Sequence, residues 1–335
     1  MNEPSPEITA PEPPPVPFKD RSTGLVAFGV MTILLGVLAG LFVPLMLFGQ
    51  VMAAKTTKVP PDFSMILPAV AIYGTMAVGL VWLGIGSIKA RRWARALLLI
   101  FSWSWLGMGV IAVTVMAFVL PEMLASIPSN AANGQPALPP GAMGIVMAVT
   151  FVFYGVVFVI LPAVWTFFYH SQHVKATCET RDPARRWTDA CPLPVLGLCL
   201  WLMFSAPMML VLPISGHCVM PFFGVFLTGL PGTLYCLAIA VIWGCAAWLL
   251  YRLDMRGWWL VLVTMCVVIV SGLLTFAQHD MTEMYQLMGY PEAQMELIQQ
   301  SGLLVGNRMS WLMSLSVLPF LGYLVFIRKF FRPRA

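Results

Sequence analysis

Charge is what this chain has least of. Only 10% of its 335 residues are Asp, Glu, Lys or Arg, against 59% apolar, and the mean hydropathy is +0.85. A soluble globular domain carries about 25% charged residues, which excludes that class here. A secretory signal is also missing: the first twenty residues, MNEPSPEITAPEPPPVPFKD, open with neither a basic region nor a short apolar stretch. They are rich in Pro and Glu and read as a disordered tail. A net charge of +5 could suggest nucleic acid in a soluble chain. In a chain this apolar it has to be read by position, and no nucleic-acid partner is expected.

What the chain does have is apolar runs. A hydrocarbon core about 30 Å thick needs roughly 20 apolar residues per spanning helix. Eight such runs occur, near 24–52, 64–87, 96–120, 143–169, 193–214, 230–250, 258–278 and 303–327. They predict an all-α, polytopic membrane protein of eight transmembrane helices. Gly36 and Gly40, one turn apart, predict close approach of a neighbouring helix, Pro44 predicts a bend, and Pro162 falls in the last third of the fourth run.

A polar island, 170–192, splits the runs into two sets of four. The expected organisation is a Pro-rich tail (1–21), a first four-helix repeat (22–169), a joint (170–192), a second four-helix repeat (193–330) and a basic tail (331–335). Within the joint, Asp182 followed by Pro183 predicts a helix start, because an Asp side chain can accept from a free amide and Pro at the first position loses no bond. A short surface helix is expected over 183–190, with Trp187 at the interface and Arg181, Arg185 and Arg186 facing lipid phosphates. A second surface segment is expected over 281–300.

Positive charge then assigns the sides. With both termini cytosolic, the inner segments hold Lys19 and Arg21, the cluster around Trp93, the joint, Arg252 and Arg256, and the basic tail. Together these contain 16 of the 19 Lys and Arg residues, leaving Lys55, Lys58 and Arg308 outside. The expected location is the cell inner membrane, with anionic lipid headgroups as partners at the cytosolic face. On this assignment Cys178 and Cys191 lie on the reducing side and only Cys218 lies outside. The seven cysteines therefore read as small apolar residues with no outer pair.

The halves also resemble each other. Val43-Pro44-Leu45-Met46-Leu47 matches Ala206-Pro207-Met208-Met209-Leu210, and Leu67-Pro68 with Tyr73 matches Leu230-Pro231 with Tyr235; both prolines recur after 163 residues. Arg91 and Trp93 match Arg256 and Trp258, Glu122-Met123 matches Glu283-Met284, and Ile160-Leu161-Pro162 matches Val317-Leu318-Pro319. The order implies a tandem duplication. Four spans per half, an even number, give both halves the same orientation about an axis along the membrane normal.

The stretch Gly84-Ile85-Gly86-Ser87-Ile88-Lys89-Ala90-Arg91-Arg92-Trp93-Ala94-Arg95 resembles the helix-turn-helix opening of many uncharacterised bacterial multi-pass membrane proteins. What this resemblance implies is topological, with glycines for packing, arginines as cytosolic anchors and Trp at the interface. It implies no activity, and Tyr251-Arg252-Leu253-Asp254-Met255-Arg256 in the second half departs from it.

Three constellations are candidate sites. His170, His173, Cys178 and Cys191 have ligand types suited to zinc, in a spacing that matches no recognised finger. His279-Asp280 resembles half of a catalytic pair but has no accompanying nucleophile or metal motif. Glu122, Glu283, Asp280 and Arg308 fall at one outer boundary, where Arg308 is expected to pair with Glu283 or Asp280 and Glu122 to offer a weak cation site. No cofactor and no enzymatic reaction are expected. The functional expectation is a scaffold or complex subunit. The alternative is a small-solute transporter or channel, which the duplication favours and the scarcity of charge within the runs opposes.

Overall fold

Backbone amides in a bilayer find no water, so each long apolar run satisfies them within itself as a helix. The computed structural model describes residues 18–57, 63–64, 66–126, 140–215, 218–289 and 308–331. Its elements are α1 (Ser22–Thr57), α2 (Leu67–Ile88), α3 (Arg92–Ser126), α4 (Pro140–Gly155), a π-helical turn (Val156–Ile160), α5 (Leu161–His170), α6 (Gln172–Arg181), a 3-10 turn (Trp187–Asp189) and α7 (Leu193–Ile214). A β-hairpin follows (β1 Val219–Phe222, β2 Val225–Thr228), then α8 (Gly229–Tyr251), α9 (Met255–Gln278), α10 (Met281–Leu287), α11 (Arg308–Ile327) and a closing 3-10 turn (Arg328–Phe331).

Among the described residues, seven helical stretches are long and apolar enough to cross a bilayer. They are Ser22–Met52, Leu67–Ile88, Arg92–Ala117, Gly144–His170, Leu193–Ile214, Gly229–Tyr251 and Met255–Gln278. They coincide with the first seven runs, and α11 covers most of the eighth. Residues 1–17 of the Pro-rich tail and the stretches 127–139, 290–307 and 332–335, the last holding most of the basic tail, lie outside the described residues.

Helix starts follow local chemistry. Pro68 and Pro194 occupy the first turns of α2 and α7. Asp254 caps α9 by accepting from Arg256 N at 2.9 Å. Ahead of α1, Asp20 accepts from Ser22 N and Ser22 Oγ, each at 3.0 Å.

Small residues bring α1 and α2 together as an antiparallel pair. A Cβ on Gly29 would lie 2.9 Å from Gly84 O, and one on Gly84 would lie 2.7 Å from Gly29 O. Further along, Gly36 and Gly40 face Ala77, so they form the close-approach face that their spacing implies.

The turn from α2 to α3 and the turn from α8 to α9 have the same hydrogen bonds. In the first, Lys89, Ala90 and Arg91 donate their amides to Ile85, Ser87 and Gly86; in the second, Arg252, Leu253 and Asp254 donate to Trp248, Leu250 and Leu249. Every pair is separated by 163 residues, and the middle residue is left-handed in both, Ala90 at φ 50° and Leu253 at φ 57°. This register puts Arg91 opposite Asp254, two residues away from the Arg91/Arg256 and Trp93/Trp258 matches read from the sequence. The two tryptophans also differ in role. Trp93 stacks on Trp82 with ring centroids 4.2 Å apart, whereas buried Trp258 donates to Leu324 O at 2.8 Å.

Each half has a core of its own. Leu25, Leu98, Leu99, Trp165, Tyr169 and Val174 form one; Val195, Leu196, Leu202, Leu250, Val261 and Leu324 belong to the other. Both gather where α2 meets α3, α5 ends and α7 begins, here termed the joint end. A buried polar knot supports the first core: Ser87 Oγ donates to Leu25 O at 3.0 Å and lies 2.7 Å from Tyr169 Oη.

The π-helical turn has a local cause. Pro162 has no N–H to give the carbonyl of Phe158, four residues upstream, so the helix is interrupted there. That carbonyl turns towards Gly109 of α3, where a Cβ would collide with it.

The β-hairpin, which the sequence reading lacked, sits at the opposite end. Phe223 (φ 44°) and Gly224 (φ 91°) make its two-residue turn, a geometry that glycine readily adopts.

Candidate functional site

The joint is organised by one carboxylate. Asp182, only 3% exposed, receives Arg186 Nη2 on Oδ1 at 2.8 Å and Arg186 Nε on Oδ2 at 3.3 Å. Arg91 Nη1 lies 3.6 Å from Oδ1, and the amide of Arg92 donates to Oδ2 at 3.4 Å. The bond to Arg186 is the main reason this carboxyl is held below its ordinary range, and the same bond raises the Arg186 guanidinium.

This geometry corrects the expected helix over 183–190. The joint helix is α6, which precedes Asp182, and only the 3-10 turn Trp187–Asp189 follows. Asp182 does not accept from the amides of its own following residues. It accepts instead from Arg92, at the start of α3, and so caps a helix in the preceding half. Val174, Thr177 and Cys178 are buried, which gives α6 the packed face that 183–190 lacks.

Arg92 fastens the rest. Its Nε lies 3.4 Å from Asp189 and its Nη2 3.6 Å from Glu179, while Nη1 donates to Pro183 O at 3.4 Å. Lys175 Nζ lies 3.9 Å from Glu179. Arg186 N donates to Asp189 Oδ2 at 2.9 Å, closing the 3-10 turn. Bonds also leave the joint: Arg21 N, just ahead of α1, donates to Thr177 Oγ1 at 3.1 Å and Tyr251 Oη to Trp187 O at 3.0 Å, while Trp201 Nε1 donates to Ser104 Oγ at 3.1 Å and ties α7 to α3.

Beneath these pairs lies a cavity of about 240 Å³, walled by Arg92, Arg95, Lys175, Glu179, Thr188 and Cys191, among others. Two polar atoms in its wall are buried and have no hydrogen-bond partner, Arg95 Nε and Thr188 Oγ1. A buried guanidinium N–H left open is costly unless something supplies an acceptor. An acceptor oxygen suits it; the same wall carries Arg92 and Lys175 and also Glu179 and Asp189, the carboxylates with which they pair.

The four residues with zinc-suited side chains do not converge. Cys178 and Cys191 are buried in the cavity wall, whereas His170 and His173 are exposed, and His173 Nδ1 takes the amide of Lys19 at 3.4 Å. Burial also pushes the Cys178 thiol up to about 11. Among the described residues no three His, Cys, Asp or Glu groups meet as a metal centre would need.

At the hairpin end, Ser271, Thr275 and His279 recur every fourth residue along one face of α9 and its end. Phe223 N donates to Ser271 Oγ, and Gly224 N to Thr275 Oγ1, each at 3.0 Å. His279 Nε2 meets Gly224 O at 3.0 Å, and its Nδ1 meets Glu283 Oε2 at 2.8 Å. His279 is thus bonded to Glu283, not to its chain neighbour Asp280. The side chains of Glu122 and Arg308 lie outside the described residues. Phe223-Gly224 is not one of the residue pairs that mark a two-residue hairpin, and Pro221 within the first strand argues against one, so local sequence carried no signal for it.

Long apolar helices, exposed apolar side chains on them such as Phe167 and Val78, and a charged joint at one end define the class. This is a helical protein whose seven long apolar helices fit a membrane-embedded chain. No family model, curated protein or solved structure matches the chain.

Proposed function

We propose that this chain is a non-enzymatic multi-pass protein of the cell inner membrane, a scaffold or complex subunit whose working surface is the joint. In this reading it has eight spans with both termini and the joint cytosolic, and its halves are duplicated four-helix units. The turns around Ala90 and Leu253, identical in hydrogen bonding at a spacing of 163, support the duplication.

The observation that carries the functional reading is the ionic network around Asp182 and Arg92 together with a buried guanidinium N–H, Arg95 Nε, that has no hydrogen-bond partner. Asp182 and Arg92 fix the joint, while Arg95 Nε and Thr188 Oγ1 remain unpartnered in the cavity. A surface so fixed presents one geometry to whatever docks on it, and the open N–H selects an anionic lipid headgroup. The test is lipid retention measured on purified protein by native mass spectrometry. Anionic lipid is expected to stay bound in preference to zwitterionic lipid, and Arg95→Gln to abolish that preference. Equal retention of both lipids by the unmodified protein would remove the reading.

One observation favours the transporter alternative, the helix broken at Val156–Ile160 ahead of Pro162. Solute flux in proteoliposomes decides between the two, because a scaffold gives none above the empty-vesicle background.

A further inference from the structure

Cys218 lies at the root of the β-hairpin and Cys236 two turns into α8. Their sulfur atoms are 3.2 Å apart, and both residues are enclosed, at 5% and 0% exposure. The approach is built into the fold. Gly232, one turn before Cys236 on the same face of α8, makes room for the hairpin root: a Cβ there would lie 3.0 Å from Cys218 O and 3.3 Å from Cys218 Sγ. The far end of the hairpin is held on α9 by Ser271, Thr275 and His279, so the two thiols are not free to drift apart. Both are free thiols in this structure, and Cys218, which has no partner among the outer residues by sequence, lies beside Cys236. Cys236 lies within an apolar run, where a reading by sidedness did not look.

We infer that Cys218 and Cys236 are a disulfide-forming pair that closes the hairpin onto α8 in the oxidising compartment. The inference rests on the sidedness proposed above, which places the hairpin end outside. The chemistry needs a disulfide donor, a protein of the thiol-oxidising class facing that compartment. Cys218 loses its proton and attacks one donor sulfur, which forms a mixed disulfide and releases the donor's other sulfur as a thiolate. Cys236 then loses its proton and displaces the remaining donor sulfur, leaving the Cys218–Cys236 bond and a donor reduced to a dithiol. Two electrons pass to the donor, and the two protons released balance its two new thiols. The bond joins cysteines 18 positions apart, and the reaction takes place before that segment is enclosed against α9.

The test is a thiol count on full-length protein in bacterial cells. Cells are quenched in acid, the protein is denatured and alkylated with or without prior reduction, and intact mass is measured, in parallel with a reporter fused after Thr228. The chain has seven cysteines. Five alkylated thiols without reductant and seven with it are expected, with a Cys218–Cys236 peptide in the unreduced digest and six thiols in unreduced Cys218→Ser. Seven alkylated thiols without reductant, with the reporter outside, would overturn the disulfide and leave the sidedness standing. Seven with the reporter cytosolic would overturn both.

Discussion

Ala90 and Leu253 adopt the same left-handed conformation in two turns 163 residues apart, at φ 50° and 57°. Neither is glycine, so each turn carries backbone strain of about 1–2 kcal/mol, which its surroundings must impose. For Ala90, which is fully buried, Ala90→Gly is expected to leave stability unchanged or raise it by up to about 1 kcal/mol. Ala90→Val should lower it, because a branched side chain tolerates this conformation least. Thermal unfolding in detergent, followed by tryptophan fluorescence, measures both.

Removing the charge at the centre of the joint should be costly. Asp182→Asn weakens the bonds from Arg186 and from Arg92 N, and a loss of about 1.5–3 kcal/mol is expected, the range for hydrogen bonds to charged groups. The carboxyl is held below its ordinary value of 3.8, so it contributes stability above that pH and loses it as pH falls through its lower folded value. Acid unfolding of the wild type should therefore show a component between pH 3.8 and lower values that Asp182→Asn lacks.

At the hairpin end the sign reverses. The bond to Glu283 is the main cause that raises His279 above its ordinary 6.5. Its contribution is complete below pH 6.5 and is lost as pH rises through the higher folded value. Limited proteolysis of the hairpin should accelerate across that window in the wild type. With Glu283→Gln the transition should move towards lower pH, and with His279→Gln it should disappear.

Gly109 faces the carbonyl that Pro162 leaves without its usual donor. Gly109→Ala forces α3 away from the π-helical turn, with an expected cost of about 1–3 kcal/mol, the range for overpacking. Pro162→Ala should restore a donor for Phe158 O and recover part of the loss. Melting temperatures of the two single variants and the double variant test this coupling.

Seven helical stretches were legible from the sequence because hydropathy over twenty residues is a strong signal. The joint was legible only as a polar island. Its helix was misplaced because Asp182-Pro183 has the local chemistry of a start, while the amide that Asp182 accepts belongs to Arg92, ninety residues earlier. Long-range capping leaves no trace in local spacing. The Cys218–Cys236 contact was missed for a related reason: a thiol inside an apolar run looks like any other small core residue. Arg95 and Thr188 gave no signal at all, since an unpartnered atom is defined by what surrounds it.

In the proposed arrangement two four-helix halves are fastened on the cytosolic side by the joint centred on Asp182, with the hairpin on the other side. Truncations carrying a dual topology reporter test it directly. Fusions after Thr177 and after Pro333 should report from the cytosol and a fusion after Thr228 from outside. A report from outside at Thr177 or Pro333, or from the cytosol at Thr228, would contradict the account.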